Sequence, residues 1–353
     1  MDKKYCIAVV GCGRIAANAH FPAFKALGNV RVKYACDIIE RKAAEKKSEY
    51  DFVENAITDY KIALADPEVE AVYVLTPNYA HYVVAMDALK AGKHVFCEKP
   101  ITVNYKLSVE MAEEAKRRGK LLNIGVCNRY NKSVELLEEM NRKGKFGKIY
   151  HVCCSFRNYR CIPGLGGDFT TKAQSGGGPL IDLGVHFIDL AMHFMGRPKP
   201  VAVSGCTYCK FADSTISDSV HSQFGEKVAG GTFDVEDLSI GFIRFADGRS
   251  LQIEFSWASN IEEEKNFVEL RGEKLGFTIC NDQLTVYGEQ AGHLTDTKVH
   301  VGPNFGHARY IRHFYDVAYN GAEPIYDIEE GVNMIRILNA MYESAATGKE
   351  VRL

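Results

Sequence analysis

The chain has 353 residues, long enough for two domains, and its 46% hydrophobic and 25% charged residues are a globular balance with material for a core. A formal net charge of −2 argues against a nucleic-acid or anionic-membrane partner, since both favour a basic patch. No apolar run reaches the roughly 18 residues of a membrane span, and the N-terminus enters a short strand pattern rather than a signal peptide, so a cytoplasmic protein is expected.

The first 122 residues alternate two periodicities. YCIAVVG (5–11) is a continuous apolar run ending in glycine, RIAANAHFPAFKAL (14–27) has helical spacing, and VRVKYACD (30–37) is a second strand ending in an acid. AVYVLT (71–76) and HVFCEKP (94–100) repeat the apolar run, with the helical YAHYVVAMDALKAGK between them. Apolar strands that are each followed by a helix describe an α/β fold with a doubly wound parallel sheet.

Residues 123–353 read differently. The helix SVELLEEMNRKGKFG and the strand IYHVCCSF are followed by an apolar helix after GGGP (176–179), and then by VAVSGCTY, LSIGFIRF, SLQIEFSWA and NFVELRG, joined by turns such as ADGR. This predicts an α+β domain on an open, largely antiparallel sheet. A last amphipathic helix over 327–347 opens at Asp327, with Glu330 three residues on as in a capping box, and packs back through Val332, Ile335, Leu338 and Met341. Eleven cysteines are scattered without small-scaffold spacing, which favours reduced thiols; Cys206 and Cys209 form a lone CxxC, so no metal site is expected.

Gly11-Cys12-Gly13-Arg14-Ile15-Ala16 is a GxGxxA turn between the first strand and the first helix. Glycines occur at ordinary strand-helix turns too, but here they also let backbone N–H groups approach a pyrophosphate at a helix N-terminus. Asp37, ending the next strand, suits a ribose diol and repels a 2′-phosphate, so NAD is expected over NADP; Arg41 weakens that preference. Thr76-Pro77-Asn78 and Glu98-Lys99-Pro100 stand at the carboxyl ends of later strands, where doubly wound sheets bind ligands.

In the helix after Pro179, Asp182, His186 and Asp189 recur at i, i+4 and i+7, and His193 extends the stripe. Such groups in an apolar helix are either a polar seam satisfied inside a core or residues put to chemical use. Just before it, residues 157–178 carry Tyr159 and Lys172, read either as the wall of a pocket for a polyhydroxylated substrate or as solvated loop residues.

Taken together, GCGRIA, TPN followed by His81, AGKHVFCEKP, the NRYN containing Arg129, GKFGKIY and GGGPLIDLGVHFIDL resemble the glucose-fructose oxidoreductase, inositol dehydrogenase and rhizopine-catabolism family, in order and along essentially the whole chain. The resemblance implies an N-terminal Rossmann domain (1–122) and a C-terminal domain (123–353) whose open sheet makes a homo-oligomer interface. It implies an NAD(P)-dependent oxidoreductase acting on a secondary alcohol of a sugar, glycoside or cyclitol, a glucoside ring hydroxyl being preferred. Carried onto this sequence, the catalytic residues are Lys99, Asp182 and His186, with His186 as general base. The cofactor would meet Gly11, Gly13, Arg14, Ile15, Asp37, Arg41, Thr76, Pro77, Asn78, His81, Glu98 and Lys99. The substrate would meet Arg129, Tyr159, Lys172, Asp182 and His186. Two rival functions remain, a glycoside hydrolase that uses NAD for transient oxidation and a non-enzymatic nucleotide or sugar sensor.

Overall fold

The computed structural model describes residues 5–214, 225–302 and 306–353. They form two compact units, Met1–Tyr130 with Phe305–Ile335, and Asn131–Asn304 with Arg336–Leu353. Among the described residues no helix is long and apolar enough to cross a membrane.

The first unit is built on a parallel sheet of β1 (Tyr5–Val10), β2 (Val30–Cys36), β3 (Val53–Ile57), β4 (Ala71–Val74), β5 (His94–Cys97) and β6 (Leu122–Ile124), in the order β3-β2-β1-β4-β5-β6. Every residue of β1 is buried, as a strand covered on both faces requires. Backbone bonds from Gly11 N to Cys36 O (2.8 Å), Leu75 N to Val10 O (2.8 Å) and Glu98 N to Val74 O (2.9 Å) bring the carboxyl ends of β1, β2, β4 and β5 to one edge. The strand order reverses between β1 and β4, so this edge holds the crevice where open α/β sheets bind ligands.

The chain does not change units once, near residue 122, but passes between them three times. Residues 305–335 belong with the first unit because the helix Gly306–Tyr319 buries Tyr310, Ile311 and Phe314 there. Phe96 meets Tyr310 at 5.0 Å and Phe314 at 5.3 Å between ring centroids, and Tyr73 meets Phe314 at 5.5 Å. The last long helix, Ile328–Thr347, opens on the expected reciprocal cap, Asp327 N donating to Glu330 Oε1 (3.0 Å) and Glu329 N to Asp327 Oδ1 (3.0 Å). Its residues up to Ile335 go with the first unit and the remainder with the second.

Arg129, expected at the substrate, is 2% exposed and belongs to this core. Its guanidinium pairs with Glu330 at 2.5 Å, donates to Ile325 O at 3.2 Å and lies 4.9 Å above the Tyr326 ring. A buried guanidinium needs such a partner, and the acid that caps the last helix supplies it.

The second unit carries β7 (Ile149–Arg157), β8 (Pro200–Tyr208), β9 (Leu238–Phe245), β10 (Ser250–Ser256), β11 (Lys265–Gly272), β12 (Gly276–Cys280), β13 (Gln283–Gln290), β14 (His293–Val299) and β15 (Val351–Arg352). Their order is β14-β13-β12-β11-β7-β10-β9-β8-β15, antiparallel throughout except for the β7–β10 pair. On β10, Leu251, Ile253 and Phe255 are fully buried while Gln252 is exposed, the alternation of a sheet with one covered face. The cover is the helical segment of residues 180–194, which approaches closely because Gly184 has no side chain: a Cβ there would sit 3.1 Å from Phe255 Cδ2.

Glu98 turns into the core of the first unit. Its Oε1 accepts from His20 Nε2 (2.8 Å) and from the Tyr310 hydroxyl (2.7 Å), and its Oε2 accepts from Lys99 N (3.2 Å). Gly125 leaves room for it, since a Cβ there would lie 2.6 Å from Oε2. Burial alone would raise the carboxyl's pKa, but the His20 and Tyr310 bonds outweigh it and hold it at about 2. This lies below the roughly 4.3 of an unfolded glutamate, so its contribution is complete above that pH and is lost as pH falls toward 2. Glu98→Gln should therefore unfold at lower urea near neutrality, yet lose less further stability than the parent between about pH 4.3 and pH 2. Urea melts across that range test this, and parallel acid limbs for the two proteins would show that Glu98 is not the responsible group.

Candidate active site

The turn after β1 is shaped by its glycines. Gly11 has φ +98°, and a Cβ on it would lie 2.5 Å from Leu75 O, so only glycine lets the turn rest on the end of β4. Gly13 differs, because a Cβ built there meets nothing within 4 Å. Asp37 braces the turn from β2, its Oδ2 accepting from Cys12 N and its Oδ1 from Ile39 N, both at 2.9 Å. A carboxylate has about four acceptor sites, so these two bonds leave capacity for ribose hydroxyls. Beside it Ile38 is 84% exposed, an apolar surface of the kind an adenine ring covers. Arg14 and Arg41 are exposed, Ile15 is half-buried, and Arg41 pairs with Glu45 on its own helix. The open side of Gly13, the partly engaged Asp37, the bare Ile38 and a buried Thr76 Oγ1 with no hydrogen-bond partner together fit a dinucleotide.

Thr76 and Pro77 lead into the helix Asn78–Lys90. In its first turn His81 points inward, with Nδ1 2.7 Å from Pro100 O and Nε2 2.8 Å from Thr76 O. Burial pushes its pKa down, although both carbonyls act the other way. His81 and Glu98, expected to meet the cofactor, thus brace the two turns from inside. The backbone around half-buried Lys99 is held on both sides, by Glu98 at its own N–H and by His81 at the next carbonyl.

In the second unit, residues 180–194 begin as a π-helical turn, Leu180–Gly184, and continue as the α-helix Val185–Phe194. Only Asp182, Leu183, His186 and Phe187 are half-buried; every other position is buried, so one narrow stripe carries the acid and the imidazole outward. Asp182 Oδ2 accepts from Trp257 Nε1 at 3.3 Å. Asp189 is buried, and His193 pairs with Glu138 at 2.9 Å. The glycines before this segment serve close packing. A Cβ on Gly177 would lie 2.0 Å from the Tyr342 hydroxyl oxygen, and one on Gly178 would lie 1.9 Å from Glu236 O. Glu236 is itself buried, accepts from Leu180 N (3.2 Å) and the Tyr342 hydroxyl (2.9 Å), and has its pKa raised by burial.

Tyr159 is exposed, with the Arg160 guanidinium 4.8 Å above its ring. Lys172 lines a cavity of about 350 Å³ within the second unit, beside Tyr208, Cys209, Asp234, Glu236 and Tyr342. Ile38, Glu236, Tyr342 and Trp257 escaped the sequence reading: an isoleucine after a strand-end acid was the one available signal, whereas the other three act through contacts distant in sequence. Among the described residues no group of three or more His, Cys, Asp or Glu could hold a metal ion.

Comparison with known proteins identifies the family of both domains. A family profile described as "Oxidoreductase family, NAD-binding Rossmann fold" matches residues 6–126, and its companion, "Oxidoreductase family, C-terminal alpha/beta domain", matches residues 139–353. The D-glucoside 3-dehydrogenase of Escherichia coli is 31% identical over 350 residues, covering 98% of this chain and 97% of that protein. The crystal structure of GenD2 from gentamicin A biosynthesis in complex with NAD superposes with a TM-score of 0.80 at 26% identity, covering 100% of this chain and 97% of the other. A levoglucosan dehydrogenase in complex with NADH shares the fold, with a TM-score of 0.83 at 22% identity and 99% coverage of both chains. The chain is a member of the glucose-fructose oxidoreductase, inositol dehydrogenase and rhizopine-catabolism family of oxidoreductases, with an NAD-binding Rossmann domain and the family's C-terminal α/β domain.

Proposed function

We propose that the protein oxidises a secondary alcohol of a sugar, glycoside or cyclitol, preferring a ring hydroxyl of a glucoside, which it converts to a keto-glycoside. The carrying observation is the Asp182–His186 stripe, two titratable groups left half-open on a segment that buries everything else of its polar chemistry. The E. coli relative supports the substrate class through its name and its end-to-end similarity. Two of the relatives reported above are named dehydrogenases, which does not favour hydrolysis by transient oxidation, and the presence of Lys99, Asp182 and His186 speaks against a pure sensor.

Bound NAD supplies the hydride acceptor. The turn that Gly11 seats on β4 would receive its pyrophosphate on the open side of Gly13, Asp37 would take the adenosine ribose and Ile38 would flank the adenine. His186 accepts the substrate hydroxyl proton, Lys99 stabilises negative charge developing on that oxygen, and Asp182 orients neighbouring hydroxyls. Tyr159 and Lys172 contact further hydroxyls of the ring. The reading includes a homo-oligomer built through the uncovered face of the second sheet, where Tyr208 and Ile240 are exposed. It also includes a cytoplasmic setting, where nicotinamide cofactors are at hand.

A screen of sugars, glycosides and cyclitols with NAD, following NADH and product masses, should find turnover of a glucoside to a species two hydrogens lighter. Mass spectrometry matters because a retained cofactor recycled by a second substrate gives no net NADH. Turnover of no polyol and no keto form would remove the reading. With a substrate in hand, His186→Ala should lose roughly two to four orders of magnitude in oxidation rate while still binding NAD. Lys99→Ala should cost on the order of 3 kcal/mol of transition-state stabilisation. Near-normal turnover by His186→Ala together with a dead Lys99→Ala would transfer the base role to Lys99.

The parent should bind NAD more tightly than NADP in calorimetry. Asp37→Ala should narrow the gap, and because Asp37 also braces Cys12 N, NAD affinity should fall by more than NADP affinity rises. Equal affinities in the parent would show that a cation offsets the acid.

A further inference from the structure

Trp257 is the chain's single tryptophan, and it lies immediately after β10. It is 1% exposed and tied on both sides by its backbone, Trp257 N donating to Asp237 O (2.9 Å) and its carbonyl accepting from Cys161 N (2.7 Å). The indole sits in a small core with Ile162, Val235 and Ala258, against which Leu165, Phe169, Leu183, Phe211 and Phe233 pack. Its Nε1–H donates to Asp182 Oδ2 at 3.3 Å.

Two glycine-bearing segments close over this core. Val228 N donates to Leu165 O (3.0 Å) and the Thr170 hydroxyl donates to Thr232 O (2.8 Å). The two backbones touch, since a Cβ on Gly166 would lie 2.2 Å from Val228 O and one on Gly231 would lie 2.0 Å from Gly166 O. The indole is therefore locked by packing on all sides, and its one donor has a fixed direction.

An indole N–H can only donate, so it holds the acid as an acceptor and cannot accept a sugar hydroxyl's hydrogen in its place. A carboxylate has about four acceptor sites, so the bond sets its orientation without exhausting its capacity. Leaving the buried N–H without an acceptor would be costly, which biases Asp182 toward the one side-chain conformation that meets it. We propose that Trp257 is a positioning residue for Asp182, fixing the carboxylate in the orientation that receives the substrate's hydroxyls. This rests on the reading of Asp182 as a substrate-orienting group given above.

Trp257→Phe keeps most of the ring volume and removes the donor. With folding checked by circular dichroism and NAD affinity unchanged, its kcat/KM for the glucoside should fall at least about tenfold. If the residue acts through Asp182, the same substitution in an Asp182→Ala background should cost less than about twofold, whereas an independent packing defect would cost the same in both. A second measurement needs no change at Trp257. All tryptophan emission arises from this one indole, so in His186→Ala holding NAD, which should bind glucoside without turning it over, added glucoside should change the emission, and Asp182→Ala in that protein should abolish the change. Should Trp257→Phe not fold, the emission experiment decides alone. Normal glucoside turnover by Trp257→Phe, equal losses in both backgrounds, or emission blind to glucoside while the parent turns it over would each overturn the assignment. Absence of any polyol turnover by the parent would instead remove the functional reading and this inference with it.

Discussion

A carboxylate sealed inside a protein must find its solvation there, and Glu98 finds it on stretches of chain remote from one another: the ring of His20, the phenol of Tyr310 and the peptide of Lys99. The first helical segment, the end of β5 and the helix Gly306–Tyr319 must all arrive for the charge to be satisfied. The position of Lys99 is consequently a property of the core. A group proposed for chemistry and carried on a turn is pre-organised only when the turn has no alternative, and here His81 closes the other side.

The second unit repeats the device with different chemistry. Glu236, also buried, accepts the peptide N–H that opens the segment carrying Asp182 and His186. The two acids nevertheless move in opposite directions. Glu98 has an imidazole as well as a phenol to favour its charge, whereas Glu236 has a phenol and peptide N–H groups that do not overcome the effect of burial. In each unit a polar group that does no chemistry itself holds the backbone beside one proposed to do it.

The parts legible in the sequence were those written locally. The unbroken apolar run of β1, the glycines after it, the acid ending β2 and the Asp327–Glu330 cap each occupy a few consecutive residues, and each has its expected place in the structure. β3 and β6 were faint because one is half polar and the other is three residues long. The helix Gly306–Tyr319 could be read as amphipathic, yet nothing in its pattern says that its partner is a sheet two hundred residues earlier. Motif membership likewise does not reveal whether a side chain faces a ligand or the interior, which is why Arg129, His81 and Glu98 were expected at ligands and stand inside the fold. The GGGP stretch marks in the sequence only where a helix begins; what its glycines provide is close approach to Tyr342 and Glu236, a contact between positions far apart in the chain.

The three crossings between units bear on how this chain can be cut. Its nucleotide-binding signature ends by residue 126, which invites the view of a detachable N-terminal module. A fragment stopping there would lack Tyr310, Ile311 and Phe314, uncovering the aromatic surface of Tyr73 and Phe96, and it would strand Glu98 without its phenol. Exposed rings on a sheet face beside a buried charge short of one partner make a sticky, poorly folded intermediate. On the ribosome, therefore, the first unit to begin folding cannot close until nearly all of the second has been made, because its closing helix is synthesised only after residues 131–304.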